Sequence, residues 1–169
     1  METVWRERAR RLSQRVVVAE AGQDSLPVMV VGLGDERHGV DLADVAEVLP
    51  PVRVTPVPGA EAVFAGVINV HGEIRPVLNL RHWLGMEALP DHPPGETLMR
   101  VILLRKDGRE MGLQVDSVEQ IRWIAPGDLQ PAGVGGAASS VHFKGSTRDL
   151  LALLSTEALF AELQNEVTP

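Results

Sequence analysis

An all-β fold is predicted by three features of this sequence. From Pro27 onward, short runs rich in valine, isoleucine and leucine follow one another at roughly ten-residue intervals, which is typical of sandwiches and barrels. Clusters of glycine, proline, aspartate and asparagine separate these runs, and helical spacing is found only near the two ends. The 169 residues include no cysteine and 44% are hydrophobic, so packing must hold one domain or two small subdomains together.

The first segment, residues 3–17, has the pattern of an amphipathic helix. Trp5, Ala9, Leu12 and Val16 recur at spacings that place them on one helical stripe. The arginines of this segment occupy other positions: Arg6, Arg8, Arg10, Arg11 and Arg15. Three roles for this helix stay open, which are loose docking on the domain surface, binding of a partner, and contact with a membrane.

Domain boundaries follow from the polar sequence AEAGQDSLP, whose Gly22 and Pro27 interrupt helical periodicity. We expect residues 1–25 to form the helix and a linker, residues 26–164 to form the main domain, and residues 165–169 to form a short tail.

Within the main domain, the apolar runs pair into hairpins around turn signals. PVMVVGL and HGVDL flank GDER, and LMRVILL and EMGLQVD flank the turn at Asp107 and Gly108. VAEVL and VRVTPV lie between prolines, which confine these strands to edges or strand ends. In GVINVHGEIRPVLNL, Gly72 can supply the positive φ of a turn, Gly66 suggests a close backbone approach, and Pro76 suggests an edge position.

The last third continues the strand pattern and ends in a helix. SVEQIRWI reads as a strand with a bulge between Val118 and Ile121, because these two residues are out of phase. PAGVGGAASS reads as a loop, and VHFK and DLLALL form a last hairpin around Gly145–Thr147. STEALFAELQ has a serine or threonine N-cap and predicts a C-terminal helix.

Motifs for catalysis, metal binding and phosphate binding are missing from the sequence. The five histidines show no spacing that places two imidazoles on one face of an element, and there is no P-loop or G-x-S-x-G elbow. Asp41, Asp44 and Glu47 could act as paired carboxylates, but a solvated strand edge gives the same pattern. We therefore expect no enzyme activity and no cofactor, and a small β-barrel hydrolase or metal enzyme stays as the rival hypothesis.

Charge and hydropathy exclude two further classes of partner. A net charge of −7 repels phosphate backbones, so we expect no nucleic-acid partner. No apolar run reaches the ~18 residues that cross a bilayer, so we expect a cytoplasmic protein without membrane insertion. An acidic β-domain without recognisable chemistry is most plausibly a binding module.

Four ordered motifs resemble the CheW-like family. VFAGVINVHGEIRPVLNLRHWLGM is similar to the family's G-V-x-N-L-R-G followed by P-[VI]-[VI]-D-L-R. LGDERHGVDLADVAEVL resembles the opening L-G-x-E-x-Y-[AG]-[IV]-D-[IV] with its V-x-E-[IV], MGLQVDSV resembles V-G-[IL]-x-V-D-x-V, and GDLQPAG resembles the stretch ending in P-x-P. The resemblance covers residues 28 to 160.

This resemblance implies a fold of two interlocked five-stranded OB-like β-barrels with a short C-terminal helix. It also implies a non-enzymatic adaptor, which joins the cytoplasmic tips of chemoreceptors to the regulatory domain of a CheA-type histidine kinase in arrays at the inner membrane. A CheW-like paralogue that serves a different signalling complex is the alternative.

Individual positions take their expected roles from the family motifs. Val45, Glu47 and Val48 match the segment that meets the kinase regulatory domain. The positions that match the receptor-coupling motif and the receptor groove are Gly66, Asn69, His71, Val101, Gly112 and Val118. Val134 matches an apolar contact of array rings.

Three residues depart from the family pattern. His71 replaces the usual arginine and Asn79 the usual aspartate, so we expect any charge pair between these two positions to be lost as a unit. His38 replaces an aromatic residue, which we expect to weaken one core position.

Overall fold

The structure is a computed structural model, and it describes residues 22, 24–87, 98–132 and 141–165. Eleven strands and two α-helices lie in these ranges: β1 (Leu26–Leu33), β2 (Glu36–Asp41), β3 (Val45–Val48), β4 (Phe64–Val70), β5 (Glu73–Asn79), α1 (Leu80–Trp83), β6 (Arg100–Lys106), β7 (Arg109–Val115), β8 (Ser117–Ile124), β9 (Leu129–Pro131), β10 (Phe143–Thr147), β11 (Ala152–Leu154) and α2 (Thr156–Asn165). The predicted N-terminal helix and most of the PAGVGGAASS loop lie outside the described residues.

The strands form two sheets, which confirms the predicted all-β fold. The first sheet has the order β8-β1-β2-β11-β10-β9, and the second has the order β3-β6-β7-β5-β4. The first sheet has six strands instead of the expected five, because Leu129–Pro131 pairs with β10 and adds an edge strand.

The second sheet is inserted between two parts of the first. β3 follows β2 of the first sheet but pairs with β6 of the second, whereas β8 follows β7 of the second sheet but pairs with β1 of the first. The chain therefore crosses between the sheets twice. The second sheet is the continuous run from β3 to β7, and the first combines β1 and β2 with β8 to β11.

The second sheet is closed by the segment that follows β3. Val52 pairs with Met99, which precedes β6, and Thr55 pairs with Val67 of β4 at the opposite edge. The backbone N–H groups of Thr55 and Val67 donate to each other's carbonyl oxygens at 2.9 and 2.8 Å. These bonds join the two edges and give the barrel form expected of this unit.

Alternating side chains divide the core into three clusters. The largest lies between the sheets and draws on both, with Met29 and Val31 from β1 and Ile102 and Leu104 from β6. A second cluster fills the interior of the second sheet, and a third lies on the face of the first sheet that is turned away from the centre. Most of the buried apolar area thus depends on the two sheets being present together.

The hairpins agree with the sequence pattern in all but the last. The strands β1 and β2 pair antiparallel around GDER, and the register between β1 and β8 shifts at the bulge expected near Val118. The last turn is at Arg148–Leu150 and not at Gly145–Thr147, which belong to β10. Gly145 is required within this strand because a Cβ there would lie 2.4 Å from the Gln130 carbonyl oxygen.

Pro76 lies on a strand with neighbours on both sides, and not at a sheet edge as expected. The parallel pairing of β5 with β7 begins only at Val77, so no ladder bond is required of Pro76 on that side.

The C-terminal helix begins as predicted. Ser155 is its N-cap, and its hydroxyl oxygen accepts a hydrogen bond from the Ala158 N–H at 3.3 Å. Thr156 is fully buried and its hydroxyl donates to Asp44 at 2.5 Å, which ties this helix to the first crossing between the sheets.

His38 is an imidazole in an apolar position. It is 5% exposed and stacks on Phe143 with 5.9 Å between ring centroids, and neither ring nitrogen has a hydrogen-bond partner within the described ranges. Burial lowers the pKa of His38, although the Glu36 carboxylate, 3.4 Å from Nε2, opposes this shift. The neutral ring therefore leaves buried polar atoms without hydrogen bonds, which lowers the stability of the fold at a position where the family has an aromatic residue.

Replacement of His38 by phenylalanine tests this cost. His38→Phe should raise the free energy of unfolding at pH 7 by about 1 kcal/mol, because two unpartnered nitrogens are removed. Since the folded pKa lies below the unfolded value of 6.5, the wild type should lose stability as pH falls below 6.5, and the variant should lose less. Urea unfolding at pH 7 and pH 5 measures both effects.

His82→Gln provides the matched control, since it removes an exposed imidazole instead of the buried one. An unchanged profile in His38→Phe would contradict the assignment of this pH dependence to His38.

Candidate protein-binding site

A two-residue turn joins β4 to β5 at the centre of the sequence motif. His71 and Gly72 both have positive φ, at 52° and 88°, which is the conformation of a type I′ hairpin turn. The Asn69 side-chain oxygen accepts a hydrogen bond from the Gly72 N–H at 2.9 Å. Asn69 and Gly72 thus shape the turn, and the His71 side chain is left 76% exposed.

His71 contacts Glu47 across the closed edges of the second sheet. The distance from His71 Nε2 to a Glu47 carboxylate oxygen is 3.0 Å. These residues come from the two motifs that the family resemblance assigns to receptor coupling and kinase binding. The structure therefore brings both motifs to one continuous surface.

β3 presents a free edge beside this contact. Among the residues that the structure describes, it pairs only with β6, and its Val48 side chain is 46% exposed. Val45, three residues earlier, is half-buried against the central core. Of the three predicted kinase-binding residues, Glu47 and Val48 are accessible, and Val45 mainly supports the strand.

Gly66 allows the second sheet to close. Its φ is +145°, and a Cβ at this position would lie 2.1 Å from the Thr55 carbonyl oxygen. Thr55 makes the two backbone bonds that join the sheet edges through Val67. The predicted close backbone approach is confirmed, and Gly66 itself is buried.

The other predicted receptor residues are dispersed. Val101 is 1% exposed, and a Cβ on Gly112 would lie 2.8 Å from the Val101 side chain, so both positions face the interior of the second sheet. Val118 is half-buried on β8 against the central core. Val134 lies outside the described residues.

Asn79 is the N-cap of α1, where its side-chain oxygen accepts a hydrogen bond from the His82 N–H at 3.2 Å. Asparagine and aspartate are equally good at this position, so the departure from the family pattern preserves the cap. His71 lies in the turn before β5, whereas Asn79 is the last residue of β5, and each has its own partner. The two side chains therefore do not pair with each other in this protein.

A second interaction was not anticipated from the sequence. Arg81, from the NLR stretch, donates through Nε to both carboxylate oxygens of Asp116 at 3.1 and 3.2 Å, and the Gly34 N–H donates to Asp116 at 2.7 Å. Burial alone would raise the pKa of Asp116, but these hydrogen bonds outweigh it and hold the pKa below its usual value. The sequence contained a signal for this interaction, because Arg81 and Asp116 occupy fixed places in two family motifs.

Arginine and glutamate side chains cover one end of the second sheet. Glu110 accepts from Arg75 Nε at 2.9 Å and from Arg105 Nε at 2.8 Å, and these bonds lower its pKa, with Arg105 the larger cause. The group stands at the ends of three neighbouring strands, so it keeps this end polar next to a fully apolar interior.

Within the ranges that the structure describes, no three histidine, aspartate or glutamate side chains come close enough together to hold a metal ion. No α-helix in these ranges has the length and apolar character needed to cross a membrane.

Two interlocked sheets with a free edge beside a rigid turn define the class as a β-rich scaffold domain. The family model for the CheW-like domain matches residues 27–164, so the chain belongs to the CheW-like family.

Known proteins of this family resemble the chain over most of its length. The probable chemotaxis protein CheW of Rhizobium etli is 27% identical over 154 residues, which cover 88% of this chain and 96% of the relative. Protein FrzA of Myxococcus xanthus is 31% identical over 113 residues, which cover 67% of this chain and 68% of the relative. The crystal structure of the scaffolding protein TtCheW from Thermoanaerobacter tengcongensis superposes with a TM-score of 0.67 and 25% identity, over 78% of this chain and 89% of that one.

The closure of the second sheet at Gly66 can be tested by adding one methyl group. Gly66→Ala should destabilise the protein by about 3 kcal/mol or more, because the added Cβ collides with backbone atoms that cannot move without breaking the Thr55–Val67 bonds. Gly127→Ala is the control, since nothing lies within 4 Å of its Cβ position. Urea unfolding of both variants makes the comparison, and equal stabilities would contradict the proposed close approach.

Proposed function

We propose that this protein is a non-enzymatic adaptor that couples chemoreceptor tips to the regulatory domain of a CheA-type histidine kinase. Membership of the CheW-like family supports a coupling role in signalling. The observation that supports the finer proposal is the contact of Glu47 with His71, because these residues belong to the two motifs to which the family resemblance assigns the kinase and the receptor.

The kinase-facing part of this surface is the β3 edge. The backbone groups on the side of β3 away from β6 can pair with a strand or loop from a second β-domain, and Val48 supplies an exposed apolar contact. Glu47 adds charge next to that contact, while Val45 anchors the strand to the core. A small apolar centre with a charged border is the arrangement expected of a transient interface.

The receptor-facing part is the turn after β4. Asn69 fixes its shape, His71 projects from it, and Gly66 holds the strand below it against Thr55. Among the remaining motif positions, Val118 would act from β8, whereas Val101 and Gly112 would act by packing inside the sheet. Val134 is proposed as the contact between neighbouring units of an array ring.

His71 favours full coupling over the alternative of a paralogue with another role. It replaces the usual arginine and lies 3.0 Å from Glu47, so the two motifs are in contact in this chain. The preserved cap at Asn79 supports the same conclusion.

The proposal places the protein in the cytoplasm, at receptor arrays on the inner membrane, with proteins as its partners. No cofactor, metal or nucleic acid takes part in this role. The net charge of −7 supports the last point, because it opposes binding to phosphate backbones.

Replacing Val48 with aspartate tests the kinase-facing edge. Val48→Asp should weaken binding to the cognate kinase regulatory domain at least tenfold, roughly 1.4 kcal/mol, because a charge must be desolvated against an apolar partner. Its unfolding free energy should change by less than about 0.5 kcal/mol, since the side chain is exposed. Titration calorimetry and urea unfolding measure the two quantities.

Val141→Asp is the matched control, because Val141 is 67% exposed and precedes β10 of the first sheet. Unchanged affinity in Val48→Asp would remove this residue from the interface. If the wild type binds neither the kinase domain nor a receptor tip fragment, the paralogue alternative replaces the proposed coupling.

A further inference from the structure

The turn between β10 and β11 contains an unusual leucine. Leu150 is 85% exposed and has a φ of +67°, a conformation that favours glycine. The turn is well fixed, because the Leu150 N–H donates to the Thr147 carbonyl at 3.0 Å and the Leu151 N–H donates to the Thr147 hydroxyl at 3.1 Å. An apolar side chain held in water by a strained backbone gives no benefit to the domain alone, so it points to a contact.

An open cleft of about 460 Å³ adjoins Leu150, with the apolar residues Val30 and Leu151 among its lining. Two ion pairs border it. Arg122 binds Asp149 through two bonds of 2.6 and 2.9 Å, and Arg37 binds Glu119 at 2.9 Å.

The charges of this cleft favour a basic occupant. Both arginines are paired, whereas Asp35, the third acidic residue of the lining, has no ion-pair partner in the part of the chain that the structure describes. The lining therefore carries a net charge of −1 next to the exposed Leu150 side chain, which matches a segment with one apolar face and several arginines.

The chain contains such a segment. Five arginines and one glutamate give residues 3–17 a net charge of +4, which leaves −11 for the rest of the chain, whose total is −7. The predicted apolar stripe of Trp5, Ala9, Leu12 and Val16 is its other face. These residues lie outside the described ranges.

The linker permits this placement. β1 begins at Leu26, four residues and about 13 Å before Val30 of the cleft. The eight residues from 18 to 25 can extend about 27 Å, which is enough to return the segment to the cleft. A covalent tether of this length also raises the local concentration of the segment to the millimolar range.

We propose that residues 3–17 dock reversibly as an amphipathic helix over this cleft, with Leu150 as the apolar anchor and the arginines facing the acidic lining. The cleft lies on the first sheet, whereas the proposed kinase and receptor surface lies on the second. This inference is therefore independent of the proposed function.

Hydrogen exchange of the full chain tests the docking. Backbone amides of residues 3–17 should exchange at least tenfold more slowly than in a synthetic peptide of the same sequence. Leu150→Gly should abolish this protection while leaving the amides of β1 and β8 unchanged, because glycine suits the φ of +67°. Ile74→Gly is the control, since Ile74 is an exposed apolar residue of the second sheet.

Each other outcome overturns the proposal. If the amides of residues 3–17 exchange as fast as in the free peptide, the segment does not dock and the cleft is left to a separate partner. If the protection survives Leu150→Gly, residues 3–17 dock elsewhere. A concentration-dependent dimer in sedimentation that Leu150→Gly dissolves would assign the cleft to a second copy of the chain. The double variant Arg10→Glu with Arg11→Glu makes residues 3–17 less basic. It should reduce the protection of these amides as Leu150→Gly does, and full protection in this variant would also contradict the proposal.

Discussion

The insertion of the second sheet between β2 and β8 of the first is the constraint on which the rest of this structure depends. The first sheet is completed only when the chain returns from the second, and the largest core cluster lies between the two sheets. An aspartate lies at each of the two crossings. Asp44 accepts from Thr156 of α2, and Asp116 accepts from Arg81 and from the Gly34 amide. Neither carboxylate can lose its partners without leaving a partly buried charge at a crossing.

This constraint also positions the proposed binding surface. β3 is the first strand after the crossing and forms an edge of the second sheet, and the chain that follows it pairs with β4 at Val67 to close that sheet beside Gly66. The turn with His71 is thereby brought beside Glu47, although 24 residues separate the two in sequence. A surface that joins two partners without chemistry depends on such fixed relative positions, and here they are set by backbone hydrogen bonds.

Local features of the fold could be predicted from the sequence, and long-range pairings could not. The hairpins, the bulge at β8 and the N-cap of α2 each depend on neighbouring residues, and Gly66 stood out within a family motif. The parallel pairings of β11 with β2 and of β5 with β7 join distant residues, and alternation alone does not specify their partners. The turn at Leu150 was missed because DLLALL has the apolar pattern of a continuous strand, whereas the backbone there is left-handed.

If the shared core and the two crossings make the two sheets one unit, the sheets must unfold together. Differential scanning calorimetry measures this most directly, through the ratio of the calorimetric to the van't Hoff enthalpy of unfolding. We expect a single transition with a ratio of about one, because neither sheet retains its share of the central core without the other. Two transitions, or a ratio of about two, would show that the sheets unfold separately and would contradict this dependence.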